Sequence, residues 1–249
     1  ATDGGLDTII TGSGDDTIAI SGLNAAFTKN QSAAGSDETQ NAKVLANSGT
    51  GINTAEINLT GVSGCAINFN GTLLTGSTVV SNGSSNGNKG VQLAELSGFS
   101  LYSFTDGGKE INVNLGDLSY SSETVHGLSF NGSGSHTGTY GNIDFGSGSG
   151  KTLLLNGGSG NDTITIGTLS GAGTVIATGG AGNDDVFTFG SGNSEATFTG
   201  ANDAVTVSFG NDPFSTTLQE FETINLGGVI SLKLSGDLPD DVLYKFASY

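Results

Sequence analysis

Five aspartates stand at turns suited to holding a cation: Asp7, Asp16, Asp162, Asp184 and Asp203. Each follows small residues and precedes a short alternating stretch, and two of the turns agree closely, GGSGNDTIT from Gly157 and GGAGNDDVF from Gly179. A carboxylate is a hard oxygen donor, and a glycine turn adds backbone carbonyls because glycine reaches φ > 0 without strain. Ca²⁺ takes oxygen ligands of this kind in flexible geometry. The residues expected around it are Gly157, Gly158, Gly160 and Asp162, then Gly179, Gly180, Gly182 and Asp184. Gly12, Gly14 and Asp16 follow near the start, with Asp7 and Asp203 in the least complete copies.

Both full copies fit G-G-x-G-x-D-x-U-x, with U a large apolar residue, a Ca²⁺-binding pattern of parallel β-helices. TGSGDDTIA from Thr11 lacks only the first glycine, TDGGLDTII from Thr2 lacks two, and TGANDAVTV from Thr199 is one residue short. At these positions the chain resembles the RTX family, glycine-rich repeat proteins that Gram-negative bacteria commonly secrete. The resemblance covers the first 20 residues and Leu153 to Val207. It implies Ca²⁺ seated between turns on successive coils, held by aspartate carboxylates and backbone carbonyls, in a protein secreted to the bacterial cell surface.

Composition narrows the class. Of 249 residues, 35% are hydrophobic and 43 are glycine, with no Trp and no Met, which suits a narrow repeated core better than an ordinary globular one. Twenty-four acidic residues against seven basic ones give a net charge of −17. Nucleic acid is an improbable partner for such a chain, since phosphate binding draws on clustered Lys and Arg. No long apolar run is present, so membrane insertion is not expected. The absence of methionine and an opening inside a repeat suggest a piece of a longer protein. Cys65 stands alone, which rules out an intrachain disulfide framework.

The elements that must position the aspartates read as strands. From Lys151 the chain alternates TLLL, TITI, TVIAT, DVFTF, EATFT and AVTVSF with turns of Gly, Ser and Asn. Leu154, Ile176 and Phe198 recur 22 residues apart, so one coil is expected to hold two strands and two turns, stacking Asp162 on Asp184 and Asp203. Strands ~4.8 Å apart would set neighbouring carboxylates repelling by about 3 kcal/mol at an effective dielectric near 20. Such a column wants a cation.

The expected fold is all-β, a right-handed parallel β-helix or β-roll solenoid with a small insertion. RTX-like repeats occupy 1–20. A polar insertion occupies 21–50, where Ser36, Asp37, Glu38 and Gly49 are placed to bound a short helix. A solenoid without calcium turns is expected over 51–150, although antiparallel hairpins at Asn70-Gly71, Asn82-Gly83 or Asn131-Gly132 would give similar strings. An RTX-like β-roll over 151–249 ends in the cap DLPDDVLYKFASY.

Other motifs read as ordinary structure. GSGSGKT from Gly146 lacks the first P-loop glycine and runs into LLLNGG, so it is a turn before a strand. GSSNG from Gly83 formally matches a nucleophile elbow but sits in an Asn/Gly/Ser run. His126 and His136 have no metal-ligand spacing and read as surface or core histidines. Asp212-Pro213 is a turn signal first. Asp15-Asp16, Asp184-Asp185 and Asp240-Asp241 face opposite ways on a strand, so none is an acid/base pair by itself.

The expected function is structural rather than enzymatic: a calcium-dependent surface-layer (S-layer) subunit or lattice-forming domain that self-associates into a lattice or filament. The alternative is an RTX adhesin spacer or binding module, with cell-surface polysaccharide as a candidate partner. A polysaccharide-modifying β-helix enzyme ranks last, because its chemistry needs acids and bases converging on one face and this chain is poor in Lys, Arg and His.

Overall fold

Alternation decides the strands. In TIAI, INVN, TITI and VFTF every second side chain turns inward and its neighbours face outward, the period-2 pattern of a sheet with one buried face. The computed structural model describes residues 7–21, 44–60, 65–70, 73–78, 90–182, 184–190, 195–201, 204–209, 215–221, 223–226 and 231–246. Among them there is no helix.

In chain order the strands begin with β1 (Asp7–Ile10), β2 (Thr17–Ile20), β3 (Val44–Asn47), β4 (Thr54–Asn58), β5 (Cys65–Asn70), β6 (Leu73–Thr78), β7 (Gly90–Ser97) and β8 (Leu101–Thr105). The middle adds β9 (Ile111–Asn114), β10 (Leu118–Ser119), β11 (Val125–Asn131), β12 (His136–Thr139), β13 (Ile143–Asp144), β14 (Lys151–Asn156), β15 (Thr163–Ile166), β16 (Leu169–Ser170) and β17 (Gly173–Thr178). The last part holds β18 (Val186–Phe189), β19 (Glu195–Ala201), β20 (Ala204–Phe209), β21 (Ser215–Gln219), β22 (Thr223–Leu226), β23 (Ser231–Gly236) and β24 (Leu243–Phe246).

They form an eleven-stranded sheet in the order β1-β3-β7-β6-β5-β9-β12-β15-β18-β22-β24, a ten-stranded sheet β2-β4-β8-β11-β14-β17-β21-β20-β19-β23, and a small third sheet β10-β13-β16. Pairing is parallel except within two meanders, β5-β6-β7 and β19-β20-β21. From β9 to β17 the chain visits the eleven-stranded, the third and the ten-stranded sheet in turn, and returns to each one strand further along. A circuit there has three strands, not the two expected, because GTLSGAG contains β16.

Inward side chains from successive circuits stack into one core. Phe104 lies over Phe130 with centroids 6.0 Å apart, and Phe69 reaches Phe104 at 5.8 Å. All three are essentially buried, each burial favouring the folded state by about 2–3 kcal/mol. Recurring large apolar residues, rather than a high apolar fraction, make this core possible.

The register corrects several expectations. Leu154 stacks on Ile176 as expected, but Ile176 pairs with Thr217 rather than Phe198, because Phe198 belongs to the second meander. The short helix bounded by Ser36 and Gly49 is overturned at its C-terminal part. Residues 22–43 lie outside the described ones, while Val44–Asn47 is strand β3, holding Val44 and Ala46 inward between β1 and β7. Parallel and antiparallel pairings coexist among the described residues of 51–150. β5 and β6 form a hairpin at Asn70, whereas Asn131-Gly132 ends β11 and starts a corner between sheets. Asn82-Gly83 and GSSNG lie outside the described residues. The proposed C-terminal cap contributes β24, which pairs in parallel with β22 at the edge of the eleven-stranded sheet.

Candidate functional site

The two full glycine turns form the corner that leads into β15 and β18 of the eleven-stranded sheet, and they stack directly. The Ala181 amide donates to the Gly158 carbonyl at 3.0 Å, and one circuit earlier the Ser159 amide donates to the Gly132 carbonyl at 2.9 Å. Gly158 and Gly180 have φ of +110° and +108°, the region that favours glycine. A Cβ on Gly160 would collide with the Gly134 carbonyl, and one on Gly182 with the Gly160 carbonyl. Gly157 and Gly179 complete the matching sides of the corner. The glycines therefore come together as expected.

The aspartates do so with one change. Thr163 of β15 pairs with Val186 of β18, which sets Asp162 over Asp185, 23 residues away, rather than over Asp184. The second turn has one residue more between Gly182 and its inward aspartate. Asp184 is consequently exposed and accepts from the Asn161 amide at 3.1 Å, while Asp185 is buried and accepts the Asp162 backbone N–H at 2.7 Å. Asp203 lies outside the described residues; its flanks, Ala201 and Ala204, pair in an antiparallel hairpin rather than a corner.

A third turn completes the stack, and its signal was present in the sequence. NGSGSHT from Asn131 is the GGSGNDT pattern with histidine in the aspartate place, and His136 stands over Asp162, 26 residues on. The Asp162 carboxylate accepts the His136 backbone N–H at 2.9 Å through Oδ1, which also lies 2.7 Å from the ring Nδ1. The ring's Nε2 faces Asp106 Oδ2 at 2.8 Å, and Nδ1 also meets the Gly157 carbonyl at 3.0 Å. Only acceptors face the two nitrogens, so the geometry calls for a proton on each. Phe130 covers the ring face, centroids 4.5 Å apart and planes 3° from parallel. Histidine in the aspartate place sets this repeat apart from the motif.

The electrostatics follow from these contacts. Burial pushes the His136 pKa down, but the hydrogen bonds and charges of Asp162 and Asp106 outweigh it and hold it above the ordinary value. Burial likewise pushes Asp106 up, and the amides of Gly108 and Gly134 with His136 more than reverse that, so it stands below the ordinary value. At the far side of the column, Asp162 Oδ2 is buried and has no hydrogen-bond partner among the described residues. The result is an interior row, Asp106, His136, Asp162 and Asp185, with one cation and three carboxylates.

The N-terminal aspartates belong to two different sheets. Asp7 is the first residue of β1 in the eleven-stranded sheet, whereas Asp16 precedes β2 in the ten-stranded one, so they do not stack on each other. Gly12 and Gly14 lie against Gly49 and Gly51 of SGTGINT, another repeat, in which Asn53 takes the aspartate place. The Asp16 backbone N–H donates to Asn53 Oδ1 at 2.9 Å. Here the row continues into Ser100 and His126 rather than another acid.

Lys151 begins β14 directly after Gly146–Gly150, as the reading of that loop as a turn before a strand requires. Asp212-Pro213 lies outside the described residues. Among the described residues, no three His, Cys, Asp or Glu side chains converge on a metal-sized point. Compared with known protein families, curated proteins and solved structures, the chain matches none.

Proposed function

We propose that the chain is a calcium-stabilised structural protein of the extracellular scaffold kind, a lattice-forming S-layer unit built on a right-handed parallel β-solenoid of RTX type. The observation that carries this reading is Asp162 Oδ2, a buried carboxylate oxygen without a hydrogen-bond partner among the described residues, beside the buried carboxylate of Asp185. Asp162 Oδ1 is paired with His136, but a buried carboxylate oxygen left without a partner is costly, so the place of Oδ2 is best explained by a cation. Asp162 and Asp185 with carbonyls from the Gly157–Gly160 and Gly179–Gly182 turns fit Ca²⁺, which accepts mixed carboxylate and carbonyl ligands and needs no cluster of three acidic side chains. When bound, the ion would neutralise the row and tie successive turns together. The parallel crossovers between sheets favour the right-handed winding.

A structural role also accords with where the titratable groups lie. Asp106, His136 and Asp162 form the only such row of acid, base and acid among the described residues, and all three are buried in the corner with no face open to a substrate. The test is a calcium titration followed by calorimetry and circular dichroism, with light scattering recorded in parallel. Binding that raises stability and is followed by assembly is the expected outcome. Binding without assembly would favour an adhesin spacer, and the absence of any calcium response would overturn the proposal.

A further inference from the structure

The outer face of the eleven-stranded sheet carries a regular array that the proposed calcium corner does not use. Strands β5, β9, β12, β15, β18 and β22 lie side by side and parallel, in continuous register. Their inward positions fill the core, as Phe69, Val113, Ile164 and Phe187 do, and each strand turns two side chains outward. One outward row runs Asn68, Asn112, Thr137, Thr163, Val186 and Thr223, the other Asn70, Asn114, Thr139, Thr165, Thr188 and Asn225. All are at least partly exposed. Parallel strands set neighbours in a row ~4.8 Å apart, and alternate residues of one strand ~6.6 Å apart. The result is a two-dimensional grid of methyl, hydroxyl and amide groups.

Strand propensity does not account for the grid. Threonine favours strands, but asparagine is depleted in them, and here it holds five of the twelve outward positions. The ten-stranded sheet offers the contrast: its outward row over the parallel strands β8, β11, β14 and β17 is Leu101, Gly127, Leu154 and Ile176, with no repeat of polar chemistry. The grid is also stiff. β-branched side chains keep few χ1 rotamers, and the Asn225 amide donates to Thr188 Oγ1 at 3.2 Å along one row. Charge is absent from it: the chain carries −17 overall, yet none of the twelve residues is charged.

We infer that this face binds ice, an ordered lattice of water, an activity distinct from the calcium-dependent scaffold role and resting on a different surface. A periodic face fits a periodic ligand, and the prism faces of hexagonal ice repeat close to both spacings of the grid. Threonine and valine methyls release disordered water when the lattice covers them, while hydroxyls and amides hold the outermost lattice waters by hydrogen bonds. A charged side chain there would have to be stripped of its own hydration, so the neutrality of the face matches that of the lattice. Protein partners are met by aromatic or Arg anchors, and none of the twelve residues is either.

The test uses the whole chain in Ca²⁺, with thermal hysteresis read in a nanolitre osmometer and partition of the protein followed into a slowly grown ice crystal. Thr165→Tyr puts a bulky ring at the centre of the grid, Thr139→Lys puts a charge beside it, and Leu154→Tyr alters the outer face of the other sheet. Circular dichroism shows which variants fold. The expected result is that the natural chain freezes below its melting point and enters the ice, that both grid variants lose these effects, and that Leu154→Tyr keeps them. A natural chain excluded from ice, with no hysteresis, overturns the proposal. Ice binding that survives both grid variants, or that only Leu154→Tyr removes, overturns this face. Retention on an insoluble neutral polysaccharide, lost in Thr165→Tyr and unaccompanied by hysteresis, would assign the grid to a glycan and likewise overturn the proposal.

Discussion

The glycine corner entering the ten-stranded sheet at Asp16 and the one entering the eleven-stranded sheet at Asp162 use nearly the same local sequence and each leave a buried carboxylate oxygen without a hydrogen-bond partner among the described residues, but their stacked neighbours differ. At the first, the side chain one circuit on is Asn53, a neutral amide that accepts the Asp16 backbone N–H. At the second, the matching place is held by Asp185, and the place before it by His136. Both corners share one device, an inward side-chain oxygen that caps a backbone N–H of the preceding circuit. They differ in whether that oxygen brings a charge. A turn motif thus specifies the backbone, and its stacked neighbours decide whether a carboxylate there is balanced, excess or replaced.

The largest difference should come from removing the base. His136→Ala leaves Asp106 and Asp162 buried without their partner, and breaking a buried pair in this way costs about 3–5 kcal/mol; denaturant unfolding in chelator measures it. Asn53→Ala at the other corner removes one neutral acceptor and should cost about 1–3 kcal/mol. Equal losses would erase the distinction between the corners.

Next comes the ion. Asp185→Asn keeps an acceptor for the Asp162 N–H but removes one carboxylate, and calorimetry should show calcium affinity reduced at least about tenfold, or about 1.4 kcal/mol. Asp16→Asn should leave the tightest binding step unchanged. If the two variants behave alike, the ion does not belong to the Asp162 corner.

The pH response sharpens the same contrast. His136 stands above its ordinary value of 6.5, so in chelator its stabilising contribution is complete below about 6.5 and is lost as pH rises through the raised value of the folded state. Thermal unfolding recorded in chelator as pH rises above 6.5 should therefore show stability falling in the natural chain. His136→Gln should flatten that slope.

The last comparison tests the backbone and ends on the smallest effect. Gly160→Ala places a Cβ against the Gly134 carbonyl and should cost about 1–3 kcal/mol, whereas Gly12→Ala meets nothing within 4 Å and should stay within about 0.5 kcal/mol. Comparable losses would mean that the N-terminal turn is packed as tightly as the central one.

Much of this contrast was legible beforehand, though unevenly. Strands such as Thr163–Ile166 and Val186–Phe189 follow from alternation, and the stacking of Gly157–Gly160 on Gly179–Gly182 from their matching turns. Cap residues upstream of Val44–Asn47 suggest a helix, whereas burial of Val44 and Ala46 between two strands prevails. NGSGSHT and SGTGINT escape a search for the motif because histidine and asparagine stand where aspartate does elsewhere.

By itself, the amino-acid sequence determined what is local: which residues alternate, where glycine admits turns that other residues resist, and which corners offer a carboxylate. Only the tertiary structure decided which side chains meet. Strand pairing joins residues one circuit apart, so a single extra residue in the turn before Val186 is enough to put Asp185 inside and Asp184 in water. Side chains alternate with period two, and a shift of one residue exchanges the buried face for the exposed one. The same register that placed His136 between Asp106 and Asp162 also set Gly127 between Leu101 and Leu154, a meeting of residues that no local pattern encodes.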